Sequence, residues 1–138
     1  MGGTDIPHDR RTIGHSDADV LFHAITDALL GAAALGDIGQ MFPDTDPANR
    51  GRDSAEMLVA ALDAVTALGF RVINIDCIVF AQRPKLLPYR QAIRQRIADI
   101  LQIDPEQVGL KGKTGEGVGP IGFEEAISAE CVALLARE

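Results

Sequence analysis

The run RVINIDCIVFA, residues 71–81, constrains the fold of this chain more than any other stretch. Its β-branched and apolar residues alternate in part with polar ones, and this pattern predicts a strand. Two further strand candidates follow, VGLKGK at residues 108–113 and AISAECVALLA at residues 126–136. Helix-like patterns precede the first strand and separate it from the second. The sequence therefore predicts an α+β fold in which helices pack on a sheet.

Three helices are predicted around this strand. The first covers residues 17–35 and begins at Ser16, where the S-x-x-D pattern completed by Asp19 is a capping signal. The second follows a loop and ends near residue 68. The third covers residues 88–101, with a proline in its first turn.

The connections carry their own signals. Asp53 and Glu56 repeat the capping pattern at the start of the second helix, and Gly69 is expected to stop it. Residues 37–51, rich in Gly, Pro and Asp, predict a loop. Residues 1–14 predict a loop or a short edge strand.

Composition limits the class of protein. The chain has 138 residues, 46% of them hydrophobic, which suits one folded domain over residues 1–138. A net charge of −7 argues against a general nucleic-acid-binding protein, which needs a basic face. No apolar run is long enough to span a bilayer, so no membrane partner and a cytoplasmic location are expected. Cys77 and Cys131 fall in apolar runs and are expected to be buried as ordinary thiols.

Three polar residues are predicted to lie along one face of the first helix. Asp19, His23 and Asp27 are spaced four residues apart, so they share a helix face. Either carboxylate is a candidate to hold one imidazole nitrogen of His23 and leave the other for a metal. A hydrogen-bonded structural histidine is the alternative, because one histidine does not make a zinc site.

Two loops are candidate phosphate or ligand sites. GKT at residues 112–114 is not a P-loop, because Gln107 stands where that motif needs glycine and no helix-forming sequence follows. Lys113, the Thr114 hydroxyl and nearby backbone N–H groups remain candidates to grip a phosphate, and a plain Gly-rich turn is the alternative. AQRPKLLP, residues 81–88, ends the central strand, where ligands often bind or where an ordinary connection passes.

Four stretches together resemble one family, the 2-C-methyl-D-erythritol 2,4-cyclodiphosphate synthases of non-mevalonate isoprenoid biosynthesis. They are GHSDADVLFHAITDALLGAAALGDIG, FPDTDP, AQRPKLLP and KTGEGVGP, in the family's order and spacing. The resemblance implies three helices on a mixed β-sheet and a homotrimer with its sheets around the threefold axis. It implies a lyase that converts 4-diphosphocytidyl-2-C-methyl-D-erythritol 2-phosphate to the cyclic diphosphate and releases CMP.

The same resemblance implies the site residues. His15 and Thr114 match positions that stabilise the transition state, and His23 matches a metal ligand. The substrate's 2-phosphate and methylerythritol end would be bound by His15, Ser16, Asp37, Ile38, Gly39, Phe42, Pro43, Asp44, Thr45 and Asp46. The cytidine and its phosphates would be bound by Ala81, Gln82, Arg83, Pro84, Lys85, Leu86, Leu87, Lys113, Thr114, Gly115 and Glu116.

The metal site departs from the family pattern. The family uses zinc together with Mg²⁺ or Mn²⁺, and it takes two zinc ligands from a first strand that carries Asp-x-His. Here MGGTDIPH aligns with the hairpin after that strand, so Asp5 and His8 are not equivalents. An incomplete zinc site is therefore expected, in a shortened form or in one that has lost zinc. A non-catalytic trimer that binds cytidine nucleotides is the alternative function.

Overall fold

The computed structural model describes residues 19–49 and 51–137. The predicted edge segment at residues 1–14 and the cap at Ser16 lie outside them. The described part of the chain contains five α-helices and three strands, in the order α1 Val20–Ala32, α2 Ile38–Met41, α3 Ser54–Ala67, β1 Phe70–Phe80, α4 Arg90–Leu101, β2 Val108–Lys113, α5 Gly119–Gly122 and β3 Ser128–Arg137.

The sheet is mixed and has the order β2-β1-β3. β1 runs parallel to β2 and antiparallel to β3, and α4 is the crossover between the parallel pair. The register of β1 against β3 shifts between Val72 and Asn74, which leaves a bulge at Ile73. The carbonyl of Ile73 accepts a hydrogen bond from Gln107 Nε2 at 2.6 Å. This bulge explains why the sequence of β1 alternates only in part.

One face of the sheet carries the core. Val72, Ile75, Cys77 and Val79 of β1 are buried against apolar side chains of α1, α3 and α4. The opposite face is open: Val132 is 75% exposed and Leu134 57% exposed. The predicted α+β arrangement, with three long helices on a mixed sheet, is therefore confirmed for the described residues.

The first helix is shorter than predicted at both ends. Asp19 is its N-cap, and Oδ1 of this carboxylate accepts hydrogen bonds from the N–H groups of Leu21 and Phe22 at 3.1 Å. At the other end Ala34 adopts φ +59°, and Leu35 N–H bonds back to the Leu30 carbonyl. A left-handed residue with this return bond closes a helix, so α1 ends at Ala32 and not at residue 35.

The signals at both ends of the second helix are confirmed. Asp53 caps α3 through Ala55 N–H, and Gly69 follows the helix with φ +87°. Pro88 does not lie in the first turn of α4, which begins at Arg90; it lies in a 3₁₀ turn, Leu87–Tyr89, that leads directly into that helix. The longest described helix has 14 residues, and none of the described helices is long and apolar enough to cross a membrane.

The predicted loop at residues 37–51 contains helical turns that the sequence did not predict. Asp37 and Gln40 form a reciprocal capping box around the four-residue α2. Asp27 Oδ1 accepts the Ile38 N–H at 2.7 Å, which ties α2 to α1. Arg52 stacks over the buried Phe42 ring, with 4.7 Å between the guanidinium carbon and the ring centroid. These contacts give the segment a defined shape.

Candidate functional site

A cleft opens where the parallel strands β1 and β2 end. The last residues of the two strands, Phe80 and Lys113, are register partners, and Ala81 N–H donates to the Lys113 carbonyl at 2.9 Å. The loops that leave these strands therefore start side by side. Ligands commonly bind at the carboxyl ends of parallel strands, so the fold itself puts the two predicted loops at one site.

The cleft has a volume of about 440 Å³, within the range of small-molecule sites. Its floor is apolar, because Val79, Leu86 and Leu110 are buried there. Leu87 stands at the rim and is 80% exposed. The lining comprises Val79, Ala81, Gln82, Pro84, Lys85, Leu86, Leu87, Arg90, Leu110, Lys111, Gly112, Lys113 and Thr114. A flat aromatic base fits such an apolar floor.

Cationic side chains give the cleft its polarity. Lys111 Nζ lies 2.8 Å from Asp76 Oδ2, and Arg90 Nε donates to the Leu110 carbonyl at 2.8 Å. Lys85 and Lys113 are exposed, and neither has an ion-pair partner within residues 19–49 and 51–137. Two such ammonium groups beside an apolar floor suit a phosphorylated ligand that carries a base.

The two loops are joined by the side chain of Gln82. Its Oε1 accepts the N–H of Gly115 at 3.2 Å and the N–H of Gly117 at 3.3 Å. The predicted phosphate loop is thus held by the predicted base-binding loop, about 33 residues earlier in the chain. The arrangement makes Gln82 a positioning residue for the segment after β2.

The short helix α5 packs against the same segment with almost no space between the backbones. A Cβ added to Gly115 would fall on the backbone N–H of Gly122, and a Cβ added to Gly122 would fall on the backbone of Gly117. Glycine is needed at both positions because of this close approach. Arg83 adds a second connection, with its Nε 3.5 Å from Glu124 Oε1.

Four backbone N–H groups after β2 already have acceptors. Those of Gly115 and Gly117 donate to Gln82, that of Glu116 donates to Thr114 Oγ1 at 3.2 Å, and that of Val118 donates to the Gly115 carbonyl. In this conformation these four amides are engaged within the loop. Lys113 and the exposed Thr114 side chain are the stronger candidates for binding an anion.

The other predicted substrate residues lie elsewhere. None of residues 37–46 lines the cleft. Pro43, Asp44, Thr45 and Asp46 are exposed, and Phe42 is buried under Arg52. A single chain therefore brings together the predicted cytidine segments but not the predicted methylerythritol segment. His15 and Ser16 lie outside the described residues.

His23 has a partner that the sequence did not reveal. Its Nε2 is 3.0 Å from the hydroxyl oxygen of Ser54, a residue that is 3% exposed at the start of α3. Asp27, one of the two expected partners, instead accepts the Ile38 N–H, and Asp19 caps α1. This contact with Ser54 holds the ring and leaves Nδ1 as the nitrogen available to a metal.

The described residues alone do not fit a zinc site. No group of three or more His, Cys, Asp or Glu side chains comes together within residues 19–49 and 51–137. Structural and catalytic zinc sites take at least three protein ligands. His23 is therefore at most one ligand of such a site.

Replacing Gln82 with leucine is expected to loosen the loop at residues 113–118. Two N–H groups lose their acceptor, each bond being worth about 1 kcal/mol. Amide exchange of Gly115 and Gly117 should therefore rise in the folded protein. Hydrogen exchange followed residue by residue measures the effect. Gln95→Leu, which changes an exposed amide on α4, is the control, and unchanged exchange in Gln82→Leu would contradict the role.

Several cleft residues carried little signal in the sequence. Arg90, Leu110 and Lys111 line the cleft although they belong to the helix and strand around it. Their proximity depends on the parallel register of β1 and β2, which residue spacing does not give. The floor is tightly packed at Gly112, because a Cβ added there would lie 3.3 Å from Leu86 Cβ.

Comparison with known proteins agrees with this geometry. The sequence matches the YgbB family over residues 1–136. The protein named 2-C-methyl-D-erythritol 2,4-cyclodiphosphate synthase from Chromobacterium violaceum is 55% identical, over 99% of this chain and 87% of its own length. The protein of the same name from Gemmatimonas aurantiaca is 53% identical, over 98% of this chain and 81% of its own length.

A solved structure of a 2C-methyl-D-erythritol-2,4-cyclodiphosphate synthase in a CDP-bound form has a TM-score of 0.89 and 38% identity. The match covers 98% of this chain and 87% of that one. The resemblance based on four sequence motifs is thereby confirmed. The chain belongs to the YgbB family, whose relatives at this level of identity carry the name 2-C-methyl-D-erythritol 2,4-cyclodiphosphate synthase.

Proposed function

We propose that this chain converts 4-diphosphocytidyl-2-C-methyl-D-erythritol 2-phosphate to the cyclic diphosphate and releases CMP. The observation that carries the proposal is a cleft lined by residues of both predicted cytidine segments, Lys85 and Lys113 among them, in a chain of this family. The apolar floor suits the cytosine ring, and the ammonium groups of Lys85 and Lys113 suit its phosphates.

The proposed reaction needs no protein nucleophile. An oxygen of the 2-phosphate attacks the β-phosphorus, the bond from that phosphorus to the bridging oxygen breaks, and CMP leaves with that oxygen. Lys113 would neutralise charge that develops on the leaving phosphate, and the Thr114 hydroxyl would donate to it. Gln82 would hold both groups in place. Positioning and charge neutralisation supply most of the rate enhancement in such a step.

Zinc, with Mg²⁺ or Mn²⁺ bound alongside the substrate, is part of the proposal on the ground of family membership. Within the described residues His23 is the one candidate ligand, with its Nε2 engaged by Ser54. Because these residues do not complete a site, no step of the reaction is assigned to a metal.

A homotrimer is proposed as the assembly. The open face of the sheet carries Val132 and Leu134, which are large, apolar and mostly exposed. The cleft of one chain also lacks the Asp37–Asp46 segment, so a neighbouring chain would have to supply it. An assembly in which the open sheet faces meet would cover Val132 and Leu134. It would also complete each cleft with the Asp37–Asp46 segment of a neighbouring chain. No nucleic acid is expected as a partner, and a cytoplasmic location remains the prediction.

The alternative is a trimer that binds cytidine nucleotides without catalysis. The cleft supports nucleotide binding equally well under both functions. Release of CMP from the diphosphocytidyl substrate separates them, because the alternative predicts binding with no release.

CMP is expected to raise the melting temperature of the protein. A ligand that binds only the folded state stabilises it by mass action, by about 2.7 kcal/mol at one hundred times the dissociation constant. GMP is the control, since it carries the same ribose and phosphate on a different base. Differential scanning fluorimetry at millimolar nucleotide measures the shift. Equal melting temperatures with and without CMP would remove the support for the cytidine site.

A further inference from the structure

Two cysteines that are 54 residues apart in the sequence face each other across the sheet. Cys77 of β1 and Cys131 of β3 are register partners in the antiparallel pair. Directly opposite residues in such pairs have Cα atoms about 4.5–5.5 Å apart, inside the range that a disulfide needs. The two Sγ atoms are 3.6 Å apart and both thiols are free.

The two thiols differ in access. Cys77 is fully buried in the central strand, whereas Cys131 is partly exposed on β3, which is an outer strand among the described ones. Ala129 and Ala133, which flank Cys131 on the same face, are small. A small reagent therefore has a route to Cys131, and it reaches Cys77 only after Cys131. Neither cysteine lines the candidate cleft.

The hydrogen bond between them assigns the chemical roles. The Cys131 S–H donates to the Val132 carbonyl at 3.7 Å, and Cys77 donates its S–H to Cys131 Sγ. That bond, and then burial, raise the pKa of Cys77 far above its ordinary value. Cys131 is thus the thiol that reacts first, and Cys77 is the thiol that resolves the product.

We propose that Cys77 and Cys131 are an oxidation site that forms an intramolecular disulfide with hydrogen peroxide. The Cys131 thiolate attacks one peroxide oxygen, the O–O bond breaks, hydroxide leaves, and Cys131 becomes a sulfenic acid. Cys77 Sγ then attacks Cys131 Sγ, its proton and the sulfenic hydroxyl leave as water, and the S–S bond forms. Two thiols and one peroxide give one disulfide and two waters, and a dithiol reverses the reaction.

The test uses the intact protein in its native assembly. After treatment with peroxide, quenching and unfolding in an alkylating reagent, we expect a mass lower by two hydrogens with no alkyl group added. Peptide mass spectrometry should place the cross-link between Cys77 and Cys131, and dithiothreitol should restore both free thiols. Non-reducing electrophoresis should show single chains. Two alkylated thiols after treatment, or cross-links between chains, would overturn the proposal.

Single variants check the roles. Cys77→Ala should let peroxide stop at Cys131 sulfenic acid, which dimedone traps as an adduct. Cys131→Ala, which matches its small neighbours, should leave Cys77 reduced in the folded protein. Rapid oxidation of Cys77 in Cys131→Ala would contradict the order of attack. Circular dichroism confirms that each variant is folded before it is treated.

Discussion

Gly115→Ala should strongly lower turnover at the cleft while leaving the core intact. The added methyl group would fall on the Gly122 backbone and within 3.0 Å of the Val118 carbonyl oxygen. Backbone atoms do not move aside as a flexible side chain does, so α5 or the loop after β2 must shift. Overpacking of this kind costs about 1–3 kcal/mol. A displacement of about 1 Å at Lys113 and Thr114 is expected to lower turnover on the order of 100-fold.

Two further variants separate the clash from other causes. Gly122→Ala meets the Gly117 backbone in the same contact, so it should reproduce the loss although Gly122 does not line the cleft. Gly117→Ala adds the same methyl group to open space at φ +74°, so it carries backbone strain without a clash. Its effect should be milder, with strain of about 1 kcal/mol. CMP release and the CMP-dependent melting shift measure all three, and wild-type turnover in Gly115→Ala would contradict the packing argument.

The double variant Val132→Glu, Leu134→Glu should dissociate the proposed trimer. Both side chains lie on the open sheet face, 75% and 57% exposed in the single chain. Burying their carboxylates in an interface would cost several kcal/mol, which is roughly a thousandfold or more in the association constant. Monomer fold and core should be unaffected, because the substituted positions contact solvent in one chain.

Light scattering at micromolar concentration gives the mass of each form. Turnover should be lost together with the trimer, because each cleft would lack the segment at residues 37–46 from its neighbour. Val59→Glu places one carboxylate at a 42% exposed apolar position on α3 and should leave the assembly unchanged. A wild-type chain that is monomeric, or a double variant that keeps the wild-type mass, would refute the interface.

The sequence predicted the long elements because each has a periodic signal. Ser54–Ala67 is bounded by a capping aspartate and a left-handed glycine, and both signals are local. The four-residue helices α2 and α5 have no period to detect. α1 ends early because Ala34 adopts a left-handed conformation, and an alanine in the sequence does not predict that conformation.

The site was predictable in its parts and not in its connections. Both cleft loops were found from their motifs, because strand ends and Gly-rich turns are local features. The bond from Gln82 to Gly115 and Gly117 and the contact of His23 with Ser54 join residues more than 30 positions apart. That Cys77 and Cys131 face each other follows from the register of β1 against β3, which the sequence does not give. Tertiary packing decides such contacts, so they cannot be predicted from the spacing of residues in the sequence.

The central strand also sets the order in which the chain can fold. β1 is paired on both sides, and both partners, β2 and β3, follow it in the sequence. During synthesis, β1 therefore does not have both of its neighbouring strands until residue 137 has left the ribosome. Pairing over such separations is slow compared with helix formation. Unpaired strand edges favour association with other chains, so the nascent protein is exposed to aggregation through β1 until β3 has been made.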